Sequence, residues 1–124
     1  MNSQDLKILI SDDSILARKQ LKDVLISAGY DNFVEAKDGK EAVSLYKKGD
    51  IDIVFLDIVM PQIDGIEAIK QIKAVDENAN IVMVSSVGTQ GQIKAAIEAG
   101  AKDFIQKPVE EDLLEEVLNH VLNG

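Results

Sequence analysis

Five side chains of types that can do chemistry follow short apolar runs of the sequence. Asp12 and Asp13 come after the first run, and Asp57 ends the third. Ser85 follows the fourth run, and Lys107 follows the fifth. If these runs are parallel strands of one open sheet, their carboxyl ends meet at the edge where such sheets bind ligands. We therefore expect three carboxylates, a hydroxyl and an ammonium to converge there.

The charges of this predicted cluster restrict what it can bind. Three carboxylates beside one ammonium leave an excess of two negative charges, which repel each other strongly when partly buried. A hard divalent cation relieves the repulsion, and carboxylate oxygens are ligands that Mg²⁺ prefers. A bound Mg²⁺ can neutralise phosphoryl oxygens while a nearby carboxylate attacks phosphorus, and an ammonium and a hydroxyl can hold the remaining oxygens. The residue types therefore suit phosphoryl transfer to an aspartate.

Each of these residues also has an ordinary structural interpretation. An Asp-Asp pair after a strand is commonly part of a helix cap, a role open to Asp13 or Ser14. A single aspartate at the end of a strand, such as Asp57, is usually just solvated. The pair Lys107-Pro108 is typical of a turn. Only their combination at one predicted edge favours chemistry over capping and turns.

Two hydrophobic periodicities alternate along the chain and define the elements that must position these side chains. Apolar runs predict five short strands, at residues 6–10, 32–36, 51–56, 81–84 and 101–106. Apolar residues at helical spacing predict five helices, within residues 15–28, 42–46, 66–72, 93–97 and 113–122. This alternation of strand and helix predicts an α/β fold, in which helices cover both faces of a parallel sheet.

Length and composition limit the class of protein. The 124 residues contain no linker or repeat, so we expect a single domain over residues 1–124. A net charge of −9 argues against direct nucleic-acid binding, because a phosphate backbone needs a basic face. Without cysteine, and with His120 as the one histidine, thiolate zinc sites, Cys nucleophiles and multi-histidine metal centres are excluded. No apolar stretch is long enough for membrane insertion and no secretion signal is present, so we expect a cytoplasmic protein.

The motifs, taken in order, resemble a known family. They are the segments 8–14 and 55–61, the pair Asp64-Gly65, the Ser85 position and the segment 99–108. Over about residues 7–121 they are similar to the receiver domain of two-component response regulators, and most similar to stand-alone chemotaxis regulators of the CheY type. The resemblance implies a flavodoxin-like (βα)5 fold with strand order 2-1-3-4-5.

The same resemblance implies a role for each acidic residue at the predicted edge. Asp57 would accept a phosphoryl group from the phosphohistidine of a histidine kinase. Asp13 and Asp57 would bind Mg²⁺ directly, Asp12 would act mainly through water, and the backbone carbonyl of Val59 would complete the protein ligands. No other cofactor site is implied.

By resemblance, the remaining site residues would read out phosphorylation. Lys107 would pair with the phosphoryl group, Ser85 would hydrogen-bond to one of its oxygens, and the Lys107-Pro108 peptide would be cis. Phe104 stands where the family often carries an aromatic switch residue. Movement of Ser85 and Phe104 would change the surface of the fourth helix, fifth strand and fifth helix. Simple packing of Phe104 is an equally open interpretation.

The resemblance also implies the class of function and the partners. The expected role is that of a monomeric signalling protein, which a histidine kinase phosphorylates and a phosphatase dephosphorylates. In its phosphorylated form it would bind a flagellar motor switch protein or another phosphorylation-dependent target. An independent enzyme is not expected, because Asp57-Ile58-Val59 lacks the DxD motif of aspartyl phosphatases. Two alternatives stay open: a phosphorelay intermediate, and the receiver domain of a larger DNA-binding response regulator.

Overall fold

The computed structural model describes residues 6–58, 65–86 and 90–123 of the chain. Strands and helices alternate strictly through these residues. In chain order the elements are β1 (Ile8–Ser11), α1 (Ile15–Ser27), β2 (Phe33–Ala36), α2 (Gly39–Lys47), β3 (Ile53–Asp57), α3 (Gly65–Val75), β4 (Ile81–Ser85), α4 (Gln90–Ala99), β5 (Asp103–Gln106) and α5 (Glu111–Asn123).

The five strands form one parallel sheet in the order β2-β1-β3-β4-β5. Strands β1, β3 and β4 lie in its centre and are buried along their whole length. Their near-continuous apolar sequences follow from this position, because both faces of each strand are covered. The α/β class, the flavodoxin-like arrangement and the strand order expected from the sequence are confirmed.

Two hydrophobic cores, one on each face of the sheet, hold the helices. Buried residues of α1 and α5 pack with Ile53 and Phe55 of β3 on one face. Buried residues of α2, α3 and α4 pack with Val54 and Leu56 of the same strand on the other. Because successive strand residues point to opposite faces, a single apolar strand contributes to both cores. Among the described helices, none is long and apolar enough to cross a membrane.

The observed strands differ from the predicted ones mainly at their ends. The last strand was expected from residue 101, but β5 begins at Asp103. Gly100 adopts a φ of 127°, and the Ala101 N–H donates to the Ala96 carbonyl at 3.0 Å, so these residues close α4 instead. At their carboxyl ends, the central strands β3 and β4 extend through Asp57 and Ser85. Two of the candidate site residues are therefore fixed by strand pairing.

Candidate functional site

The carboxyl ends of the central strands bring three aspartates together. Asp57 is the last residue of β3, and Asp12 and Asp13 follow directly after β1, its neighbour in the sheet. Carboxylate oxygens of the three residues, one from each, lie within 4.8 Å of one another. Asp12 and Asp57 are buried and Asp13 is exposed. Oxygen ligands at this spacing can surround a small hard cation, with the exposed side open to water or substrate.

Lys107 supplies a positive charge to this cluster. Its Nζ lies 2.9 Å from Oδ2 of Asp12 and 3.3 Å from Oδ2 of Asp57. Burial tends to lower the pKa of the Lys107 ammonium, but the hydrogen bond to Asp12 and the charges of Asp57 and Asp12 outweigh it and raise that pKa above its ordinary value. The residue is therefore held as a cation between two buried carboxylates.

Ser85 lies beside the acidic cluster with its hydroxyl buried. Strand pairing places Val84 opposite Asp57, so Ser85 is one residue further along the neighbouring strand. Its Oγ has no hydrogen-bond partner among the described residues. The Ser85 carbonyl accepts a 2.7 Å hydrogen bond from the Lys107 N–H, which ties β4 to the residue that follows β5. A buried hydroxyl of this kind is suited to an oxygen-rich ligand, since it gains a partner when the ligand binds.

The loop between β1 and α1 is held by hydrogen bonds around Asp12. The Asp12 N–H donates to the Ala36 carbonyl of β2 at 3.1 Å, and Oδ1 accepts from the Ser14 N–H at 2.9 Å. The Ser14 hydroxyl accepts from the Ala17 N–H and caps α1, so of the two predicted candidates Ser14 is the cap. Asp13 is thereby left at the exposed start of the helix, beside the other two carboxylates.

Two further residues shape the site: Arg18, which was not identified from the sequence, and Gly65, which was identified only as part of the Asp64-Gly65 motif. Arg18 of α1 donates from Nη1 to the Asp12 carbonyl. Gly65 begins α3 and donates its N–H to the Ile58 carbonyl at 2.9 Å, next to Asp57. Glycine is a visible signal for close backbone approach, but Arg18 offers no comparable signal because basic residues are common on exposed helix faces.

The other predicted positions have different outcomes. The Lys107-Pro108 peptide is cis, as the family resemblance implied. Phe104 lies on β5 opposite Met83 with 41% of its surface exposed, and it borders a cavity of about 430 Å³ formed with α5. The backbone carbonyl of Val59, the predicted fourth protein ligand, lies outside the described residues.

Comparison of the sequence with known proteins identifies the family of this chain. A family profile described as "Response regulator receiver domain" matches residues 8–119. This chain belongs to that family. As a receiver domain it is 45% identical over 117 residues to the chemotaxis protein CheY of Bacillus subtilis, a match that covers 94% of this chain and 98% of that protein. It is 47% identical to CheY of Thermotoga maritima, covering 93% of this chain and 96% of the relative.

Solved structures of receiver domains share the fold. CheY in the CheX–CheY–BeF3–Mg²⁺ complex from Borrelia burgdorferi superposes with a TM-score of 0.87 at 39% identity, covering 94% of this chain and 89% of that chain. A receiver domain protein from Clostridium thermocellum has the same TM-score at 24% identity, covering 95% of this chain and 94% of that one, which supports the fold alone. The family membership and the close relation to CheY expected from the sequence motifs are confirmed.

Proposed function

We propose that this receiver domain is a chemotaxis response regulator that accepts a phosphoryl group on Asp57 in a Mg²⁺-dependent reaction. The observation that carries the proposal is the meeting of three carboxylates at one sheet edge, two of them ion-paired with Lys107. Taken singly, capping or solvation accounts for each residue. A cluster with this excess of negative charge, two of its members buried, is explained by a cation and an anionic ligand that bind in turn.

The donor set fits Mg²⁺. Asp12, Asp13 and Asp57 provide only oxygen ligands, and Mg²⁺ commonly binds through one or two carboxylates, water and phosphoryl oxygens. We assign Asp13 and Asp57 as direct ligands, Asp12 as a ligand through water, and the Val59 carbonyl as the remaining protein ligand. When bound, the cation would neutralise charge on the oxygens of the incoming phosphoryl group.

In the proposed reaction, a carboxylate oxygen of Asp57 attacks the phosphorus of a phosphohistidine. A new O–P bond forms as the P–N bond breaks, and the electron pair of that bond returns to the imidazole nitrogen, which takes up a proton from water. Lys107 holds one phosphoryl oxygen, and the Ser85 O–H donates to another, gaining the partner that it lacks among the described residues. The domain thus catalyses its own phosphorylation and, with water as the attacking group, its own dephosphorylation.

The phosphorylated site would act on the surface through Ser85 and Phe104. In the parallel sheet, Ser85 lies opposite Gln106, and Phe104 lies two residues before Gln106 on the same strand face. The Phe104 side chain is partly exposed beside a cavity lined by Leu113 and Val117 of α5. An inward movement of Ser85 toward the phosphoryl group therefore gives Phe104 a route to turn inward and alters the α4-β5-α5 surface.

We propose that both the phosphoryl donor and the target of this domain are proteins. Ile15 and Leu16, at the start of α1 beside Asp13, are 76% and 64% exposed, which favours a docked protein donor such as a histidine kinase. Both curated relatives reported above are chemotaxis proteins, so we favour a motor switch protein as the target over the phosphorelay and DNA-binding alternatives. We further propose that the protein is a cytoplasmic monomer and that a phosphatase removes the phosphoryl group.

Intact mass spectrometry after incubation with Mg²⁺ and acetyl phosphate tests the acceptor chemistry. We expect the wild type and an Asp23→Asn control, which alters an exposed carboxylate of α1, to gain one phosphoryl group. Asp57→Asn and an EDTA-treated sample should gain none. A wild type that binds Mg²⁺ but gains no phosphoryl group would show a receiver that works by binding alone, contrary to the proposal.

The donor and target are tested separately. Ile15→Asp should slow transfer from a phosphorylated histidine kinase and leave labelling by acetyl phosphate unchanged, because only the protein donor needs the apolar surface. Phosphorylated wild type should be retained by a flagellar motor switch protein, and Asp57→Asn should not. Transfer of the phosphoryl group to a histidine phosphotransferase without motor-switch binding would favour the phosphorelay alternative.

A further inference from the structure

Arg18 connects the acidic loop to the neighbouring strand. From α1, its Nη1 donates to the Asp12 carbonyl, and its Nε lies 3.1 Å from Oε1 of Glu35 on β2. The Arg18 side chain is only 13% exposed. A guanidinium is a rigid fork, so one side chain holds both acceptors in a defined geometry, which a flexible ammonium cannot reproduce. The contact is therefore a built connection and not a chance surface ion pair.

The carbonyl that Arg18 holds belongs to the peptide between Asp12 and Asp13. A peptide unit is planar, so fixing this oxygen also fixes the nitrogen and Cα of Asp13. The Asp12 N–H is fixed as well, by its hydrogen bond to Ala36 of β2. Asp13 is the exposed member of the cluster, and its position depends on the backbone that carries it. Arg18 is thus placed to orient Asp13, which the proposed function assigns as a direct metal ligand, without being a ligand itself.

We propose that Arg18, held by Glu35, is a positioning residue that fixes the Asp12-Asp13 peptide for cation binding. The inference rests on the proposed function, because it concerns the affinity of the acidic cluster for Mg²⁺. Groups that orient metal ligands typically contribute 10–100-fold to metal affinity. The sign of the effect separates positioning from charge. Removing a cation near the cluster would strengthen Mg²⁺ binding by charge alone, whereas loss of positioning weakens it.

The test measures Mg²⁺ dissociation constants by calorimetry for the wild type and four variants. Arg18→Met and Arg18→Lys should both weaken binding by roughly tenfold, although Lys keeps the charge. Glu35→Gln should weaken it less, because the amide oxygen can still accept from Arg18. Lys22→Met is the matched control, since Lys22 contacts the other oxygen of Glu35 at 3.2 Å and not the loop, and it should leave the affinity unchanged.

Amide hydrogen exchange at Asp13 and Ser14 in the metal-free proteins provides a second measurement. Faster exchange in both Arg18 variants, with no change in Lys22→Met, supports the positioning role. Tighter or unchanged Mg²⁺ binding in Arg18→Met, or unchanged exchange, overturns it. A wild type that binds no Mg²⁺ would instead overturn the proposed function, and exchange in the metal-free proteins would then decide alone whether Arg18 holds the peptide.

Discussion

Gly65 is the position at which one added methyl group should damage the proposed acceptor site most directly. A Cβ on Gly65 would lie 2.4 Å from the Asp57 carbonyl oxygen and 2.8 Å from the Ile58 Cα. Both are backbone atoms, so no side chain can rotate away to relieve the overlap. The start of α3 can therefore pack against the end of β3 only with glycine at this position.

The size of the effect follows from these distances. Ordinary contact begins near 3.4 Å, so α3 and the end of β3 must separate by about 1 Å in Gly65→Ala. Overpacking of this kind costs about 1–3 kcal/mol of the free energy of unfolding. The shift falls on Asp57, the proposed phosphoryl acceptor. Because a misplacement of about 1 Å can slow a positioned reaction by roughly 100-fold, we expect phosphorylation by acetyl phosphate to slow by roughly tenfold to 100-fold.

Gly29→Ala is the matched control for this prediction. Gly29 has a φ of 103° with no atom within 4 Å of an added Cβ, so the substitution strains the backbone without a clash. It should cost about 1–2 kcal/mol, at the far end of α1 from the site. Urea unfolding and the initial rate of phosphoryl gain are measured for both variants. If Gly65→Ala is phosphorylated at the wild-type rate per folded molecule, or if Gly29→Ala is slowed equally, the reasoning from close approach fails.

Three further substitutions test the charges and hydroxyls of the structure. Ser85→Ala should keep or raise metal-free stability by about 1 kcal/mol in urea unfolding, because it removes a buried hydroxyl without a described partner, while phosphorylation-dependent target binding is lost. Lys107→Met should tighten Mg²⁺ binding by roughly threefold to tenfold in calorimetry, because it removes a cation that competes for the same carboxylates. The same variant should be phosphorylated more slowly, because it lacks the ammonium proposed to hold a phosphoryl oxygen. Burial and the hydrogen bond to Asp76 raise the pKa of the Tyr46 phenol in the folded protein. The phenol of the unfolded chain therefore ionises first, and the free energy of unfolding of the wild type should fall above about pH 10. Urea unfolding from about pH 9 to 11 should show a smaller fall in Tyr46→Phe.

Each of these three has a result that contradicts it. A clear loss of metal-free stability in Ser85→Ala would mean that its hydroxyl is satisfied in the folded protein. Weaker Mg²⁺ binding in Lys107→Met would mean that the ammonium organises the carboxylates more than it competes for them. Identical alkaline unfolding curves for wild type and Tyr46→Phe would mean that the phenol is no harder to ionise in the folded state.

Much of the fold could be predicted because the hydrophobic patterns of strands and helices differ in period. The central strands are apolar without interruption, and the helices between them show stripes at helical spacing. The strand ends were harder to predict, since Ala101 has the apolar character of a strand residue but its N–H donates to the Ala96 carbonyl of α4 at 3.0 Å. Lys102, the next residue, already donates its N–H to the Ile81 carbonyl of β4 at 2.8 Å, so only these hydrogen bonds distinguish the end of the helix from the start of the strand.

The candidate site could be predicted as a set of residue types but not as a set of contacts. The rule that strand ends converge was enough to bring Asp12, Asp57 and Lys107 together. The sequence carries no signal that Lys107 would contact both carboxylates, because their separations along the chain are 95 and 50 residues. Arg18 was missed for a related reason. The group that accepts its hydrogen bond is a backbone carbonyl, which has no signature in the sequence.

The ion pairs of Lys107 would explain how the proposed acceptor site can be stable both before and after phosphorylation. Without a cation, the ammonium partly neutralises Asp12 and Asp57, and its raised pKa reflects that interaction. A phosphoryl group on Asp57 would offer Lys107 a more highly charged acceptor, so the ammonium would exchange one anionic partner for another. Because the Lys107 N–H is bonded to the Ser85 carbonyl, this exchange would act on the same strand pair that carries Phe104. Lys107, which would respond to the charge, and Phe104, which would change the surface, are therefore close along the chain, and the proposed switch requires no path through the core.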